Sequence, residues 1–107
     1  MNLMKKMYHA TPWSNFMSIV EDGLKPGCDH IVYLAETKED ALKFIAIRVF
    51  NEPILVVEVE VEEDLLTETF DHNFNFFKAR AWGYPETIPW EMVTNAWKYG
   101  MDLSKNS

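Results

Sequence analysis

Cysteine, positive charge and long apolar runs are all scarce in this chain of 107 residues. The single cysteine, Cys28, excludes an internal disulfide framework and is typical of a reducing compartment, so we expect a cytoplasmic protein. Lys and Arg number 10 against 17 Asp and Glu, and this net charge of −7 argues against non-specific nucleic-acid binding, which needs clustered cations. No run approaches the roughly 18 apolar residues that span a bilayer, and no apolar signal core follows Lys5 and Lys6. The sequence therefore predicts neither a membrane-spanning segment nor a secretory signal.

The apolar content, by contrast, is that of a folded protein. Hydrophobic residues make up 48% of the chain and aromatic residues 14%, which is enough to bury a core. A chain of this length forms one domain, because a second core would need more residues. We expect a single domain over residues 1–102 and a flexible tail over residues 103–107.

Residues 8–12, Tyr-His-Ala-Thr-Pro, predict a strand that ends at a histidine where a helix begins. Thr11 is a favourable N-cap, Pro12 a favourable first helical residue, and Gly23 a typical stop signal. His9 would then lie beside the free amide groups of the helix start, where anionic ligands bind. The alternative is a half-buried histidine that bonds only to backbone. The helix face predicted by the apolar spacing consists of Trp13, Phe16, Met17 and Val20.

Further segments complete an α+β pattern. Residues 31–35 predict a second strand, and Thr37 with Asp40 resembles a capping box that starts a helix running to about Phe50. Residues 53–62 form the clearest strand, buried on both faces at one end and half exposed at the other. The segment after Pro89 fits either a strand or a helix. Because helices come early and strands late, we expect a sheet with helices on one side rather than a doubly wound parallel fold.

No group of residues has the spacing of metal ligands. The alternating acids of the long strand are interpreted as a solvated face, as is usual for a half-buried strand: Glu58, Glu60 and Glu62. The histidines are far apart and lack a nearby cysteine partner: His9, His30 and His72. We therefore expect no metal.

Several short motifs, taken together in their order, resemble the ADP-ribosyltransferase-like superfamily. These are Tyr8-His9-Ala10-Thr11, residues 19–26 with Gly23-Leu24, Val32-Tyr33-Leu34-Ala35 with Ala41 behind it, residues 55–59, and Ile88-Pro89. The superfamily includes poly- and mono-ADP-ribosyltransferases and RNA 2′-phosphotransferases. The resemblance implies a small α+β domain with a mixed β-sheet core and two helices in the N-terminal half.

The resemblance also implies roles for individual residues, with NAD as the substrate. The motif histidine, His9, would bond to a ribose of NAD, Ala10 would offer backbone groups to the nicotinamide amide, and Thr11 would be a cap or a secondary ligand. Tyr33 would stack on the nicotinamide ring, for which a flat apolar platform is suited. Alanine at position 10 replaces the usual glycine, and its methyl group would crowd the approach of a ligand to the backbone.

The third element of the family is a glutamate that steadies the cation-like transition state. It usually lies seven or eight residues before the Ile-Pro step, where this chain has Arg80 and Ala81. Glu86, two residues before Ile88, is the best available acid. His72, between Asp71 and Asn73, is a base or an oriented donor at the cleft in one interpretation, and part of a surface turn in the other.

The leading prediction is a transferase that binds NAD and moves ADP-ribose to a macromolecule, for which the acidic charge favours a protein over bulk nucleic acid. His9, Tyr33 and Glu86 would be its catalytic residues, and His72 and Arg80 would join the NAD-binding set. A toxin or a phage protein would fit such a small domain. One alternative is a noncatalytic phage or bacterial inhibitor on the same fold. The other is an RNA 2′-phosphotransferase that uses Arg80 with Arg48 or Lys5, although the chain has only two arginines.

Overall fold

The computed structural model describes residues 3–27, 30–46, 52–69 and 81–100. These residues form six strands and two helices, joined in part by short 3-10 turns. The strands are β1 (Met4–Pro12), β2 (Val32–Ala35), β3 (Ile54–Glu62), β4 (Thr67–Thr69), β5 (Ala81–Tyr84) and β6 (Val93–Tyr99). The helices are α1 (Phe16–Asp22) and α2 (Lys38–Ala46), and the 3-10 turns cover Trp13–Asn15, Glu63–Leu65 and Trp90–Met92. The predicted α+β class is confirmed.

The six strands form one sheet in the order β4-β5-β2-β1-β3-β6. All described pairings are antiparallel, so the expectation of a mixed sheet is wrong for this part of the chain. The mixed sheet was implied by the resemblance alone. The direction in which a neighbouring strand runs is decided by tertiary pairing and not by the residues within each strand.

Each face of the central strands β1 and β3 is covered in part. The face that bears Met7, Val57 and Val59 holds the main hydrophobic core and is called the core face below. The opposite face, which bears Tyr8, Ala35 and Val56, is covered by α2 and is called the α2 face. Ala41 and Ile45 of α2 are buried, and the Lys38 ammonium lies 4.2 Å from the ring centroid of Trp97.

The two helices lie on opposite faces of the sheet. Ile19 of α1 belongs to the main core, whereas α2 packs on the other side. The expectation of helices on one side is therefore wrong. The reason is that the all-apolar start of β3 buries side chains in both directions: Leu55 and Val57 face the core, and Val56, which is 0% exposed, faces α2.

β1 continues three residues beyond His9. Residues 9–12 pair with residues 54–57 of β3, so Thr11 and Pro12 belong to the strand and α1 begins only at Phe16. Thr11 is therefore not the N-cap that the sequence predicts, and the N-cap position of α1 is Asn15. The Thr11 hydroxyl oxygen instead accepts a hydrogen bond of 2.8 Å from the Asn15 side chain. Pairing along a long neighbouring strand outweighs the local capping preference of Thr-Pro.

Gly23 ends α1 as predicted and allows a close backbone contact. Its φ of 81° lies in the region that favours glycine, and its N–H donates to the Ile19 carbonyl at 2.8 Å. Leu24 then exchanges two backbone hydrogen bonds with Ile88, of 2.8 and 2.9 Å. The Gly-Leu and Ile-Pro steps of the sequence are thus neighbours in space.

The remaining predicted elements agree with the structure wherever it describes them. The Thr37 hydroxyl caps α2 by accepting from the Asp40 N–H at 3.1 Å, and β3 covers residues 54–62. The segment after Pro89 is a 3-10 turn followed by strand β6. The predicted helix end near Phe50, the segment at residues 71–80 and the predicted tail at residues 103–107 lie outside the described residues. Within the described residues, neither helix is long and apolar enough to cross a membrane.

Replacing Gly23 by alanine tests the contact between α1 and Ile88. A Cβ atom there would lie 2.5 Å from the Ile88 carbonyl oxygen, on a backbone that L residues rarely adopt. We expect Gly23→Ala to lower the free energy of unfolding by about 2 kcal/mol or more, measured by urea titration. Gly100→Ala is the matched control, since Gly100 also has a positive φ but its nearest contact would be 3.2 Å. Equal losses in the two variants would contradict a role for the Gly23 contact.

Candidate functional site

β1 and β2 are neighbours in the sheet but are barely paired. Their ladder consists of the single pair Tyr8↔Ala35, whereas β1 pairs with β3 along its whole length. The two strands therefore separate after Tyr8. We call the opening between residues 9–11 of β1 and residues 32–34 of β2 the strand gap. The backbone of β1 that borders this gap has no ladder with β2.

His9 bridges the strand gap. Its Nδ1 lies 2.8 Å from the Tyr33 carbonyl oxygen. A carbonyl only accepts hydrogen bonds, so Nδ1 carries the hydrogen and donates it. Burial lowers the pKa of His9 below its ordinary value of 6.5, and the bond to the Tyr33 carbonyl opposes this only in part. His9 is thus neutral at pH 7, and its Nε2 is a hydrogen-bond acceptor.

An open groove runs between His9 and α1. Its volume is about 260 Å³, and its described lining is His9, Thr11, Asn15, Ser18, Ile19, Asp22 and the loop Gly23–Lys25. Ligand pockets typically measure about 300–1,000 Å³, so this groove suits a sugar or nucleoside, and a dinucleotide would extend beyond it. His9 does not lie at the strand-to-helix junction that the sequence predicts, because β1 extends to Pro12 and α1 begins only at Phe16.

Most polar groups of the groove already bond to one another. The Asn15 side-chain N–H donates to Thr11 at 2.8 Å, and the Ser18 hydroxyl donates to the Asn15 carbonyl at 3.1 Å. The Lys25 ammonium lies 3.6 Å from the Asp22 carboxylate. These contacts therefore fix the positions of the polar side chains that line the groove.

Tyr33 lies at the strand gap but on the other face of the sheet. Val32 and Leu34 are 3% and 1% exposed in the main core, whereas Tyr33 is 40% exposed. Because side chains alternate along a strand, the Tyr33 ring leaves β2 on the α2 face. It does not point into the core. His9 and Tyr33 are therefore joined through the Tyr33 carbonyl, with their side chains on opposite faces of the gap.

Ala10 also faces away from the groove. It lies between His9 and Thr11 on β1, and its Cβ is directed to the α2 face by the same alternation. Its methyl group therefore does not narrow the groove that His9 lines, although it lies on the face where the Tyr33 ring is exposed.

Glu86 lies in the exposed loop after β5, outside the described lining of the groove. The Leu24–Ile88 pairing brings the end of this loop next to the turn that follows α1. Burial, with the charges of Glu62 and Glu86, raises the pKa of Tyr84. The negative charge of Glu86 is therefore one cause of the raised pKa of the Tyr84 phenol.

Two predicted site residues, His72 and Arg80, lie outside the described residues, as do Arg48 and Cys28. In the part of the chain that the structure describes, no three His, Cys, Asp or Glu side chains are grouped to hold a metal ion. The groove residues of α1 were not predicted. Their polar members Asn15, Ser18 and Asp22 recur at helical spacing on one face, and this pattern is the signal that would have found them.

A second polar cluster lies on the α2 face beside β1. The Tyr8 hydroxyl donates to Glu58 at 2.8 Å, and the Thr94 hydroxyl donates to the other Glu58 oxygen at 2.7 Å. The Glu58 side chain is only 13% exposed, so it is not part of a solvated face as predicted. The hydrogen bonds from Thr94 and Tyr8 lower the pKa of Glu58, and the bond to Glu58 raises that of Tyr8. The cluster anchors Tyr8 next to the strand gap.

The lowered pKa of His9 can be measured directly. Titration followed by NMR should place the midpoint of His9 below 6.5, with the assignment made from a His9→Gln variant. Since the unfolded chain takes up this proton at higher pH than the folded chain, His9 should reduce folding stability as the pH falls below about 6.5. A midpoint at or above 6.5 would contradict the neutral, acceptor state of His9.

Removing the Tyr8 hydroxyl tests the Glu58 cluster. We expect Tyr8→Phe to lower the free energy of unfolding by about 1–2 kcal/mol at pH 7, because the carboxylate loses a donor while half-buried. The loss should shrink at low pH, as Glu58 becomes protonated. Tyr99→Phe on β6 is the control and should change stability by less than about 0.5 kcal/mol. A pH-independent loss in Tyr8→Phe would argue against the charge-assisted bond.

Comparison of the sequence with models of known protein families gives no match, and comparison with curated proteins gives none either.

Proposed function

We propose that this protein binds NAD across the strand gap and transfers ADP-ribose to a macromolecular acceptor, as the sequence resemblance implies. The observation that carries the proposal is the hydrogen bonding and the neutral form of the His9 ring. Its Nδ1–H is engaged by the Tyr33 carbonyl, so a neutral ring offers Nε2 as an acceptor beside a groove of sugar or nucleoside size. A ribose hydroxyl is the donor that matches it.

The Tyr33 ring supplies the other half of the proposed site. It is exposed where β1 and β2 separate, and a planar nicotinamide ring can stack on it. The backbone of β1 at the gap, including Ala10, has no ladder with β2 and can bond to the nicotinamide amide.

The proposed transfer needs little acid–base chemistry. The bond between the ribose C1′ and the nicotinamide nitrogen breaks, and nicotinamide leaves with the bonding electrons as a neutral molecule. A nucleophile of the acceptor forms the new bond to C1′ and releases its proton. Glu86 is the proposed carboxylate that stabilises the positive charge at C1′, which requires its exposed loop to reach the ribose. The net charge of −7 favours a protein acceptor.

One observation favours a second candidate, a noncatalytic binding protein such as an inhibitor. Glu86 is exposed and lies outside the described lining of the groove, so the transferase acid is not in contact with the groove that His9 lines. Such a protein would bind a nucleotide in the groove but would not catalyse the transfer of ADP-ribose. A cytoplasmic location, proposed from the single cysteine, fits both candidates.

Titration with NAD, followed by calorimetry and thermal unfolding, tests the binding. We expect NAD to raise the melting temperature and His9→Ala to weaken NAD binding about tenfold or more, since a buried ribose hydroxyl would lose its acceptor. His30→Asn is the control, because His30 lies in an exposed turn and its positive φ is tolerated by asparagine. Unchanged binding in His9→Ala, or no binding by the wild type, would refute the proposal.

Labelled NAD separates the two candidates. Transfer of label to a protein acceptor, lost in Glu86→Gln while NAD binding is retained, is expected of the transferase. NAD binding by the wild type with no transfer to any acceptor tested would instead favour the noncatalytic protein.

A further inference from the structure

The described sheet ends in two edge strands of different length. β4 covers three residues and β6 covers seven, and β3 is the one described strand that pairs with β6. Thr94, Asn95 and Ala96 are exposed along β6. A long, exposed edge strand presents backbone donors and acceptors with which another extended chain can pair. The same strand of a second copy of the protein is one such chain.

The side chain of Asn95 occupies a backbone donor of β6. The Ala96 N–H donates to the Asn95 side-chain oxygen at 2.9 Å. Residues of an antiparallel ladder alternate between pairs that exchange backbone bonds and pairs that do not, so the Ala96–Val57 pair belongs to the second kind. The Ala96 N–H is therefore directed to the open edge of the sheet. There, the Asn95 oxygen takes the hydrogen bond that a carbonyl of an added strand would otherwise accept.

Two further features of β6 disfavour pairing at this edge. The register with β3 shifts between Glu58 and Val59, which leaves Thr94 as an extra residue whose hydroxyl bonds to Glu58 at 2.7 Å. Lys98 is exposed, and its ammonium lies 4.7 Å from a ring centroid of Trp13. Bulges and lysines are features by which natural edge strands avoid pairing with other chains. Neither of them occupies the Ala96 N–H, which is left to Asn95.

We infer that the Asn95 side chain is an intramolecular block on strand pairing, and that without it two copies of the protein associate through their β6 strands. In an antiparallel pair centred on Ala96, the two copies exchange the N–H and carbonyl bonds of this residue. Lys98 of each copy then lies opposite Thr94 of the other, so the two lysines do not face each other. This block is separate from the groove and does not depend on the binding of NAD.

Two variants test the block. Asn95→Ala removes the acceptor and frees the Ala96 N–H. The double variant Asn95→Ala/Ala96→Pro is the matched control, because proline has no N–H to offer to a second copy. Both positions are exposed, and an edge strand tolerates proline where the N–H faces outward. Far-UV circular dichroism and thermal unfolding show that each variant is folded.

The measurement is sedimentation equilibrium over a range of protein concentrations. About 0.5 M sodium chloride screens the repulsion between two copies of net charge −7. We expect Asn95→Ala to dimerise with a dissociation constant at least about tenfold below that of the wild type, since each copy gains a free donor at the interface. The double variant should return to the behaviour of the wild type.

Equal dissociation constants for the wild type and Asn95→Ala overturn the inference. Association that persists in the double variant also overturns it, because the contact then lies at another surface. Amide hydrogen exchange of the wild type gives a test that needs no variant. Protection of the Ala96 N–H should not depend on protein concentration, and protection that rises with concentration would show that β6 already pairs between copies despite Asn95.

Discussion

The nine-residue antiparallel ladder between β1 and β3 is the constraint on which the rest of this structure depends. It holds β1 extended as far as Pro12, past the residues that would otherwise start a helix. With β2, on its other edge, β1 shares only one residue pair. The strand gap begins beyond that pair. His9 fills that gap with a side-chain hydrogen bond where a backbone ladder would have continued.

The position of α1 follows from the same constraint. The strand ends late and Gly23 ends the helix, so α1 is short, and its residues Ser18, Ile19 and Asp22 line the groove with His9. Gly23 ends the helix in a conformation that brings the chain against Ile88, where a side chain would not fit. The Ile88 contact thereby closes the core under the groove. Groove, helix and Ile-Pro step are one packed unit, although they come from distant parts of the chain.

The electrostatics of the domain depend on burial rather than on its net charge of −7. Burial keeps His9 neutral, so a residue that could have attracted anions is instead an acceptor of hydrogen bonds. On the other face, two hydroxyl donors keep Glu58 ionised in a half-buried position and hold Tyr8 in place beside His9 along β1. The strand gap is thus bordered by the neutral imidazole of His9. The Glu58 carboxylate holds the neighbouring Tyr8 by a hydrogen bond.

The sequence by itself determined the class of the fold, the extent of β3, the cap of α2 at Thr37 and the end of α1 at Gly23, because each depends on neighbouring residues. It also singled out His9 and Tyr33, through a local motif. Only the tertiary structure decided that Thr11 is part of a strand, that the helices lie on opposite faces, and that Glu58 is half-buried, since all three depend on which strands become neighbours. The groove formed by His9 with Asn15, Ser18 and Asp22 was likewise decided only by the tertiary structure. Its two walls are joined by the strand-to-helix turn, and the register of β1 on β3 determines where that turn falls.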